Sequence, residues 1–286
     1  MKHYIKLMRV HHYIKNLLVF AALACSGQFF CTDKLLAGVA GFVAFSLISS
    51  VVYIINDIKD KEKDACHPTK CNRPIASGKV SVKGALVMAV VLFVLAAVCN
   101  MFAFRVLSTV LLGLYFLLNL GYSLGLKNVP IVDITILVAG FLIRVVYGAV
   151  VTDIVISNWL YLTVIAFAFY FALGKRRNEL KQLGDGDTRQ VLKAYPLGFL
   201  DKSMYMCLTL ANVFYALWTM DKNTVSMYNE YLIFTVPVVL LITMKYSMDV
   251  EGESDGDPVE VLVHDKVLMG LCGLYLVSMF LILYLS

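Results

Sequence analysis

The chain alternates between long apolar runs and short polar loops. A helix needs about twenty mostly apolar residues to cross the hydrocarbon core of a bilayer. The pattern therefore predicts an all-α fold, a polytopic membrane helical bundle with about nine transmembrane helices in one domain, residues 1–286. The predicted spans are 14–31, 35–56, 83–103, 106–124, 131–150, 158–174, 200–220, 229–247 and 266–285.

Lysine and arginine are concentrated in every second loop, which predicts how the chain is oriented. The loops after the second and sixth spans carry seven each, within 59–83 and 175–202, and the amino-terminal segment carries four. The loops on the other side carry Lys34, Arg105 and Lys222. Basic loops remain on the cytoplasmic side. We therefore predict a multi-pass protein of the cell (inner) membrane, with a cytoplasmic amino terminus and an external carboxyl terminus.

Composition agrees with this class. Hydrophobic residues make up 60% of the chain and charged residues 16%, with a mean hydropathy of +0.77. A soluble domain carries about a quarter charged residues. The seven cysteines include no CxxC pair, and we expect thiols in a reducing cytoplasm. The lipid bilayer is the expected environment, no nucleic-acid partner is expected, and no removable signal peptide is recognised.

The most informative polar stretch follows the second span. Asn56, Asp57, Asp60 and Asp64 lie at spacings that share one helix face. We expect this helix to end near Cys66, before a proline. Acidic residues four apart repel one another unless a cation lies over them. Mg²⁺ is the natural candidate, because it takes one or two carboxylates and completes its octahedron with water and substrate phosphate.

Basic residues border this acidic face and leave two interpretations open. Lys70 and Arg73 in the following loop can hold phosphate oxygens on the far side of a bound ion. Alternatively, Lys59, Lys61 and Lys63 neutralise the acids, and the face is merely solvated. These lysines fall largely on other helix faces than Asp60 and Asp64, which favours the metal site.

Several motifs together resemble a known family. Asn56-Asp57-x-x-Asp60-x-x-x-Asp64, followed by Arg73-Pro74-Ile75-Ala76-Ser77-Gly78, resembles the first aspartate-rich motif of the UbiA superfamily of intramembrane prenyltransferases. The form His67-Pro68-x-Lys70-x-x-Arg73-Pro74 is most similar to its decaprenyl-phosphate phosphoribosyltransferase branch. Residues 13–20 and Gly174-Lys175-Arg176, followed by Glu179-Leu180, point the same way. The resemblance implies a UbiA-like fold with cytoplasmic cap loops after helices 2 and 6.

The second of these loops carries the other candidate site. Lys175 and Arg176 are predicted to bind phosphate, and Arg177 and Lys181 to be interface anchors. Many superfamily members have a second aspartate-rich motif here. Glu179, Asp185 and Asp187 do not reproduce its spacing. The resemblance then favours a donor with an additional phosphate, which cations hold, over a prenyl diphosphate held by two acidic sites.

Further candidate substrate ligands are scattered along the chain. They are Lys15 and Asn16 near the amino terminus, and Tyr122, Lys127 and Asp133 around the start of the fifth span. Anchoring at the membrane interface is the alternative role for Lys127, and a favourable contact with the helix dipole is the alternative for Asp133.

Arg144 lies deep in the fifth span, eleven residues beyond Asp133. A charge at such depth usually faces the bundle interior. We interpret it as a structural residue that pairs with a polar neighbour. Binding of a lipid phosphate is the alternative.

The resemblance implies Mg²⁺-dependent transfer of a 5-phosphoribosyl group from phosphoribosyl diphosphate to a polyprenyl phosphate. Asp57, Asp60 and Asp64, with Asn56, would hold the metal, and Lys70, Arg73, Lys175 and Arg176 the phosphates. The first alternative is a UbiA-type prenyltransferase that uses a prenyl diphosphate and an aromatic acceptor. The second is a transporter, for which charges and broken helices near the bilayer midplane are expected.

Overall fold

The structure of the protein is a computed structural model that describes residues 2–66, 70–102, 105–181, 190–252 and 258–284. His67 and Pro68 of the basic loop, and Asp185 and Asp187, lie outside these ranges. Regular secondary structure in the described ranges is helical throughout. Seven helical segments in the described ranges are long and apolar enough to cross a membrane, and one of them, Glu230–Glu251, joins a 3₁₀ segment to the α-helix that follows it. The prediction of an all-helical integral membrane protein is confirmed.

The chain divides into two compact units, and each is described by itself. Unit 1 comprises Met1–Leu126 and Ile143–Val155. Its helices are α1 (Lys2–Met8), α2 (Ala21–Ala24), α3 (Thr32–Lys59), α4 (Lys61–Ala65), α5 (Val82–Met101), α6 (Val106–Leu124) and the second half of α7 (Val132–Thr152), with 3₁₀ segments at Val10–Phe20 and Lys70–Asn72.

Unit 2 comprises Lys127–Leu142 and Ile156–Ser286. Besides the first half of α7, its helices are α8 (Asn158–Lys181), α9 (Leu197–Met220), α10 (Lys222–Tyr228), α11 (Val236–Glu251), α12 (Pro258–His264) and α13 (Lys266–Tyr284). Three 3₁₀ segments, at Leu126–Asn128, Gln190–Ala194 and Glu230–Thr235, lie between helices.

The predicted count of nine spans is not confirmed. The first predicted span, 14–31, contains a 3₁₀ segment and the four-residue α2 instead of one long helix. The seventh, 200–220, corresponds to α9, which is long enough but is not among the seven helices that also meet the apolarity required. Polar residues along the helix, including Asp201, Lys202 and Asn212, lower the mean hydropathy of α9.

A close backbone contact accompanies the irregular first segment. A Cβ atom on Gly148 in α7 would lie 1.8 Å from the carbonyl oxygen of Val19. Only glycine allows this approach, because any side chain would displace one of the two backbones. The same segment buries the polar side chain of Asn16, which is 1% exposed. Local packing therefore replaces the straight apolar helix that hydropathy predicted.

A small hydrophobic cluster in unit 1 fixes the loop that follows α4. Ile75 and Val80 are buried against Ile54 of α3. The loop turns at Gly78, whose φ is +72°, and the Val80 amide donates to the Pro74 carbonyl at 2.9 Å. Burial of Ile75 and Val80 holds the start of the loop, including Arg73, near the end of α3.

The core of unit 2 is built on the packing of α8 against α9. Tyr170 and Leu173 of α8 are buried with Leu200 and Met204 of α9. Tyr195, directly before α9, belongs to the same cluster. This core holds the polar end of α8 in a fixed position.

Candidate active site and neighbouring charge clusters

Two buried carboxylates at the end of α3 form the centre of the candidate active site. Asp57 is 2% exposed and Asp64, in α4, is 5% exposed. Arg73 joins them, since its Nη1 donates to Asp64 Oδ2 at 2.6 Å and to Asp57 Oδ1 at 3.3 Å. Both carboxylates therefore share one guanidinium nitrogen.

A second arginine, which the sequence did not single out, reaches the same carboxylate from the amino terminus. Arg9 Nη2 donates to Asp57 Oδ1 at 2.5 Å. Its guanidinium carbon also lies 5.0 Å from the centre of the Tyr53 ring, within the range of a cation–π contact. We call Arg9, Asp57, Asp64 and Arg73 the α3-end cluster. One signal could have found Arg9: it is the only arginine among the amino-terminal cations, and arginine suits partly buried carboxylate pairs better than lysine does.

The predicted acidic face is altered at Asp60. The helix ends near Cys66 as predicted, with α4 finishing at Ala65. However, Asp60 itself interrupts it, with φ −88° and ψ 8°, and caps α3. Asp60 is half-buried, whereas Asp57 and Asp64 are buried. The structure thus brings two of the three predicted aspartates together under arginine side chains.

The remaining polar residues of this stretch have separate contacts. The Asn56 side chain contacts the Ser123 hydroxyl of α6, and Lys59 Nζ donates to the Ser123 carbonyl. Lys70 is exposed in the 3₁₀ segment before Arg73. Lys59 therefore connects α3 with α6, and the charges that contact Asp57 and Asp64 belong to arginines.

The α3-end cluster also bears on the predicted metal. Within the described ranges, no group of three or more His, Cys, Asp or Glu residues lies close enough together to hold an ion. Mg²⁺ needs only one or two protein carboxylates when water and phosphate complete its shell. Asp57 and Asp64 already share one cationic group. Their chemistry and proximity therefore fit a Mg²⁺ site that substrate phosphate completes.

A second buried charge cluster lies in unit 2, at the cytoplasmic end predicted for α7. Arg176 Nε donates to Asp133 Oδ2 at 2.7 Å, and Arg176 Nη1 donates to Glu179 Oε2 at 2.5 Å. The Tyr195 hydroxyl donates to Asp133 Oδ1 at 2.6 Å and accepts from the Ile131 amide at 2.5 Å. We call Asp133, Arg176, Glu179 and Tyr195 the Asp133 cluster.

Tyr195 is a second residue that sequence reasoning missed. Burial, together with its hydrogen bond to Asp133, raises the pKa of the Tyr195 phenol to about 12. The phenol therefore remains a hydrogen-bond donor at physiological pH. No local spacing connects it with Asp133, because the two are 62 residues apart in the chain.

The neighbours of Arg176 differ in their environments. Lys175 is half-buried. The sequence favoured a membrane-interface anchor for Arg177, but this residue is 5% exposed and donates to Asp201 at 2.5 Å. Basic residues that anchor at an interface and those that pair inside a bundle look alike in sequence, so this interpretation of Arg177 was wrong.

Asn16 and Arg144 contact each other in unit 1. Arg144 is 7% exposed, and its Nε donates to Asn16 Oδ1 at 2.8 Å. Its guanidinium also donates to the Tyr115 hydroxyl at 3.1 Å and lies 5.0 Å from the ring centres of Phe45 and Tyr115. Asn16 Nδ2 donates to Ser46 at 3.0 Å. The interior position expected for Arg144 is confirmed, and Asn16 lies where it positions this arginine.

Three other predicted ligands are half-buried. These are Lys15 in the first 3₁₀ segment, Tyr122 near the end of α6, and Lys127 just after it. The structure gives no further basis for a substrate contact, and their roles stay predictions.

Comparison with known proteins identifies the family. The sequence profile of the UbiA prenyltransferase family matches residues 17–252. The chain belongs to this family. Its sequence is 36% identical to a decaprenyl-phosphate phosphoribosyltransferase of Mycolicibacterium smegmatis, over 92% of this chain and 87% of that protein. It is 34% identical to the protein of the same name from Corynebacterium glutamicum, over 92% of this chain and 81% of the other.

The UbiA fold is also found among solved structures. A UbiA homolog from Archaeoglobus fulgidus bound to DMAPP and Mg²⁺ superposes with a TM-score of 0.72. The match covers 98% of both chains at 16% sequence identity, so it establishes the fold alone. The family match, the named relatives and the apolar helices together make the protein a membrane-embedded transferase of the UbiA superfamily.

Proposed function

We propose that this UbiA-family transferase moves a 5-phosphoribosyl group from phosphoribosyl diphosphate to a polyprenyl (decaprenyl-like) phosphate and releases pyrophosphate. The observation that carries the proposal is the 36% identity, over 92% of this chain, to a decaprenyl-phosphate phosphoribosyltransferase. The missing second aspartate-rich motif supports it as well.

The arrangement of charge in the α3-end cluster supports the binding of a phosphate-rich donor. The side chains of Arg9 and Arg73 are 20% and 29% exposed, and they cover carboxylates that are 2% and 6% exposed. The buried carboxylates hold the two guanidinium groups in place. The outer N–H groups of these arginines suit phosphate oxygens. Lys70 adds an exposed cation in the same loop.

Asp57 and Asp64, with Asn56 and Asp60, are the residues that we propose to hold Mg²⁺. When bound, Mg²⁺ supplies a Lewis acid that offsets the negative charge developing on the leaving diphosphate. The arginines act on the same charge through hydrogen bonds. They therefore stabilise the transition state in addition to binding the donor.

The chemical step needs little more than positioning. An oxygen of the lipid phosphate forms a bond to C1 of the ribose, and the bond from C1 to the diphosphate oxygen breaks with its electron pair leaving on pyrophosphate. The lipid phosphate is already anionic, so the step requires no general base. Alignment of the two phosphorylated substrates supplies the catalysis.

We further propose that this chemistry takes place at the cytoplasmic face of the inner membrane, where the basic loops place the α3-end cluster. The cap loops after α3 and α8, and the phosphate contacts of Lys175, belong to the same proposal.

The test uses purified full-length protein in detergent, with Mg²⁺, decaprenyl phosphate and phosphoribosyl diphosphate labelled in its ribose carbon. We expect label in the lipid extract from the native protein. Asp57→Asn keeps the size of the side chain but removes the charge that holds Arg9 and Arg73. Loss of two charge-assisted hydrogen bonds predicts a fall in rate of about a hundredfold or more. Glu62→Gln, at an exposed acid in α4, is the matched control and should retain activity.

A second assay tests the alternative activity, prenyl transfer from a prenyl diphosphate to an aromatic acceptor. The same preparations receive labelled dimethylallyl diphosphate with 4-hydroxybenzoate as an aromatic acceptor. Label that enters the aromatic product but not decaprenyl phosphate would overturn the proposed donor while leaving family membership intact. Full activity of Asp57→Asn would show that the α3-end cluster takes no part in the reaction.

A further inference from the structure

The Ser123 hydroxyl, at the end of α6, lies against two oxygen atoms but carries a single proton. Ser123 Oγ is 2.7 Å from the Asn119 carbonyl oxygen, one turn earlier in the same helix. It also contacts the Asn56 side chain at the end of α3, where the amide end assigned as Oδ1 faces the hydroxyl. Ser123 is 5% exposed. A serine hydroxyl donates one hydrogen bond and accepts through its lone pairs.

The Asn119 carbonyl determines where that proton lies. A backbone carbonyl oxygen can only accept, and two oxygens at 2.7 Å without a proton between them repel each other. The Ser123 proton therefore belongs to the hydrogen bond with Asn119. The hydroxyl then has only lone pairs to offer to Asn56.

Asn56 satisfies those lone pairs when its amide is turned. The two ends of an amide have the same shape, so their identity follows from their partners. With the proton of Ser123 committed to Asn119, Asn56 presents Nδ2 to Ser123 and donates to it. Its Oδ1 then faces away from Ser123. Lys59 Nζ donates to the Ser123 carbonyl and holds this part of α6 beside the end of α3.

We propose that Ser123 is a positioning residue that turns the Asn56 side chain so that its oxygen, and not its nitrogen, is presented to a divalent cation at the α3-end cluster. The inference rests on the proposed function for the presence of Mg²⁺ beside Asp57. An amide oxygen is a ligand for Mg²⁺, whereas an amide NH₂ group repels it. Hydrogen bonds that orient a ligand side chain are a common determinant of metal affinity.

Without the hydroxyl, the Nδ2 end of the Asn56 amide can turn toward the neighbouring carboxylates, so the orientation that repels a cation becomes the more populated one. Ser123→Ala should weaken cation binding by about tenfold, within the range seen when a hydrogen bond to a metal ligand is lost. Ser123→Thr keeps the hydroxyl and should bind the cation as the native protein does. Ser108→Ala is the matched control, because Ser108 is buried in the same helix and its hydroxyl donates back to the Arg105 carbonyl.

The decisive comparison repeats Ser123→Ala in an Asn56→Asp background. A carboxylate offers an oxygen at both ends, so its orientation no longer matters. In this background, Ser123→Ala should therefore reduce cation affinity by less than twofold, compared with about tenfold in the native background. A packing role for Ser123 predicts equal losses in both backgrounds.

Cation binding is read from the electron paramagnetic resonance signal of free Mn²⁺, titrated into purified protein with inorganic pyrophosphate and corrected with a protein-free blank. Thermal unfolding midpoints of all variants report on the fold. Because no phosphoribosyl transfer is needed, this readout is independent of the donor and acceptor in the proposed function. Native Mn²⁺ affinity in Ser123→Ala, or an equal loss in both backgrounds, would overturn the inference. If Asn56→Asp itself abolishes Mn²⁺ binding, the comparison falls to the single variants. Lower Mn²⁺ affinity in Ser123→Ala, with native affinity in Ser123→Thr, then supports the inference.

Discussion

The two charge clusters both pair buried aspartates with arginines, but they differ in whether the arginine is buried. In the α3-end cluster the carboxylates of Asp57 and Asp64 are buried, and the arginines lie on the exposed side. In the Asp133 cluster Arg176 is 1% exposed and Asp133 is 0% exposed, while the outer partner is the carboxylate of Glu179 at 26%. The first arrangement presents cations to a phosphorylated ligand. The second encloses its cation and joins α7, α8 and the segment before α9.

The comparison assigns a ligand-binding role to the α3-end cluster and a structural role to the Asp133 cluster. A guanidinium held by buried anions keeps some N–H groups directed outward, and its position is fixed before the ligand arrives. This reduces the entropy lost on binding. A fully enclosed ion pair contributes little net stability against an apolar pair, yet is costly to break on one side only. We therefore expect substitutions in the two clusters to affect different measurements.

The largest effect is expected from Arg176→Met. This change leaves the buried Asp133 carboxylate without its main cation and should reduce the free energy of unfolding by about 3–5 kcal/mol. The thermal midpoint of the purified protein, or its yield in membranes, measures the loss. Asp133→Leu combined with Arg176→Met removes both charges and should recover much of it. A stable Arg176→Met protein that has lost only donor affinity would show that Arg176 is a ligand and not a scaffold.

A smaller effect, of a different kind, is expected from Arg73→Lys. Lysine keeps the charge, but its single nitrogen cannot contact Asp57 and Asp64 and also present the separate outward N–H groups that the planar guanidinium offers to phosphate. Loss of a charge-assisted hydrogen bond of about 1.5–3 kcal/mol predicts a KM for phosphoribosyl diphosphate raised about ten- to a hundredfold. The thermal midpoint should change little, because this side chain is partly exposed.

Lys79→Ala is the control for Arg73→Lys, since Lys79 is an exposed cation of the same loop. It should leave KM within about twofold of the native value. If Arg73→Lys instead unfolds the protein and leaves KM unchanged in the folded remainder, the contrast between the clusters is wrong.

Sequence reasoning succeeded where the relevant residues are near one another in the chain. Asp57, Asp64 and Arg73 come from one continuous stretch, and helical spacing with a basic loop was enough to place them in one region. The sequence predicted a metal ion between the acids and Arg73, whereas the structure shows a direct contact. Arg144 was also placed correctly, because a charge deep in an apolar helix must face polar partners. The apolar runs predicted the long helices for the same reason, since length and hydropathy are local properties.

It failed where the partner comes from elsewhere in the chain. Arg9 lies 48 residues before Asp57, and its role depends on tertiary packing that local spacing does not encode. Arg177 was taken for an interface anchor because basic residues at a helix end occur in both settings. Residues 14–31 have the hydropathy of a span, but the buried polar contact of Asn16 and the close approach at Gly148 give a 3₁₀ segment there.

The smallest effect is expected from Tyr195→Phe, which removes one hydroxyl from the Asp133 cluster. Asp133 keeps Arg176 as a partner, so the loss in the free energy of unfolding should be near the net value of one hydrogen bond, about 1 kcal/mol.

The pH dependence of the stability difference makes the test of Tyr195 specific. Burial and Asp133 raise the pKa of Tyr195 from 10.0 to about 12 in the folded protein. The stabilisation is therefore fully present below pH 10 and is lost as the pH rises toward 12. The difference in thermal midpoint between native protein and Tyr195→Phe should stay constant from about pH 7 to 9.5 and narrow above that. Tyr231→Phe, at an exposed tyrosine of the same unit, is the control and should show no such pH-dependent difference. A difference that stays unchanged from about pH 9.5 to 12 would mean that folding does not raise the pKa of Tyr195 and that Asp133 does not hold its phenol.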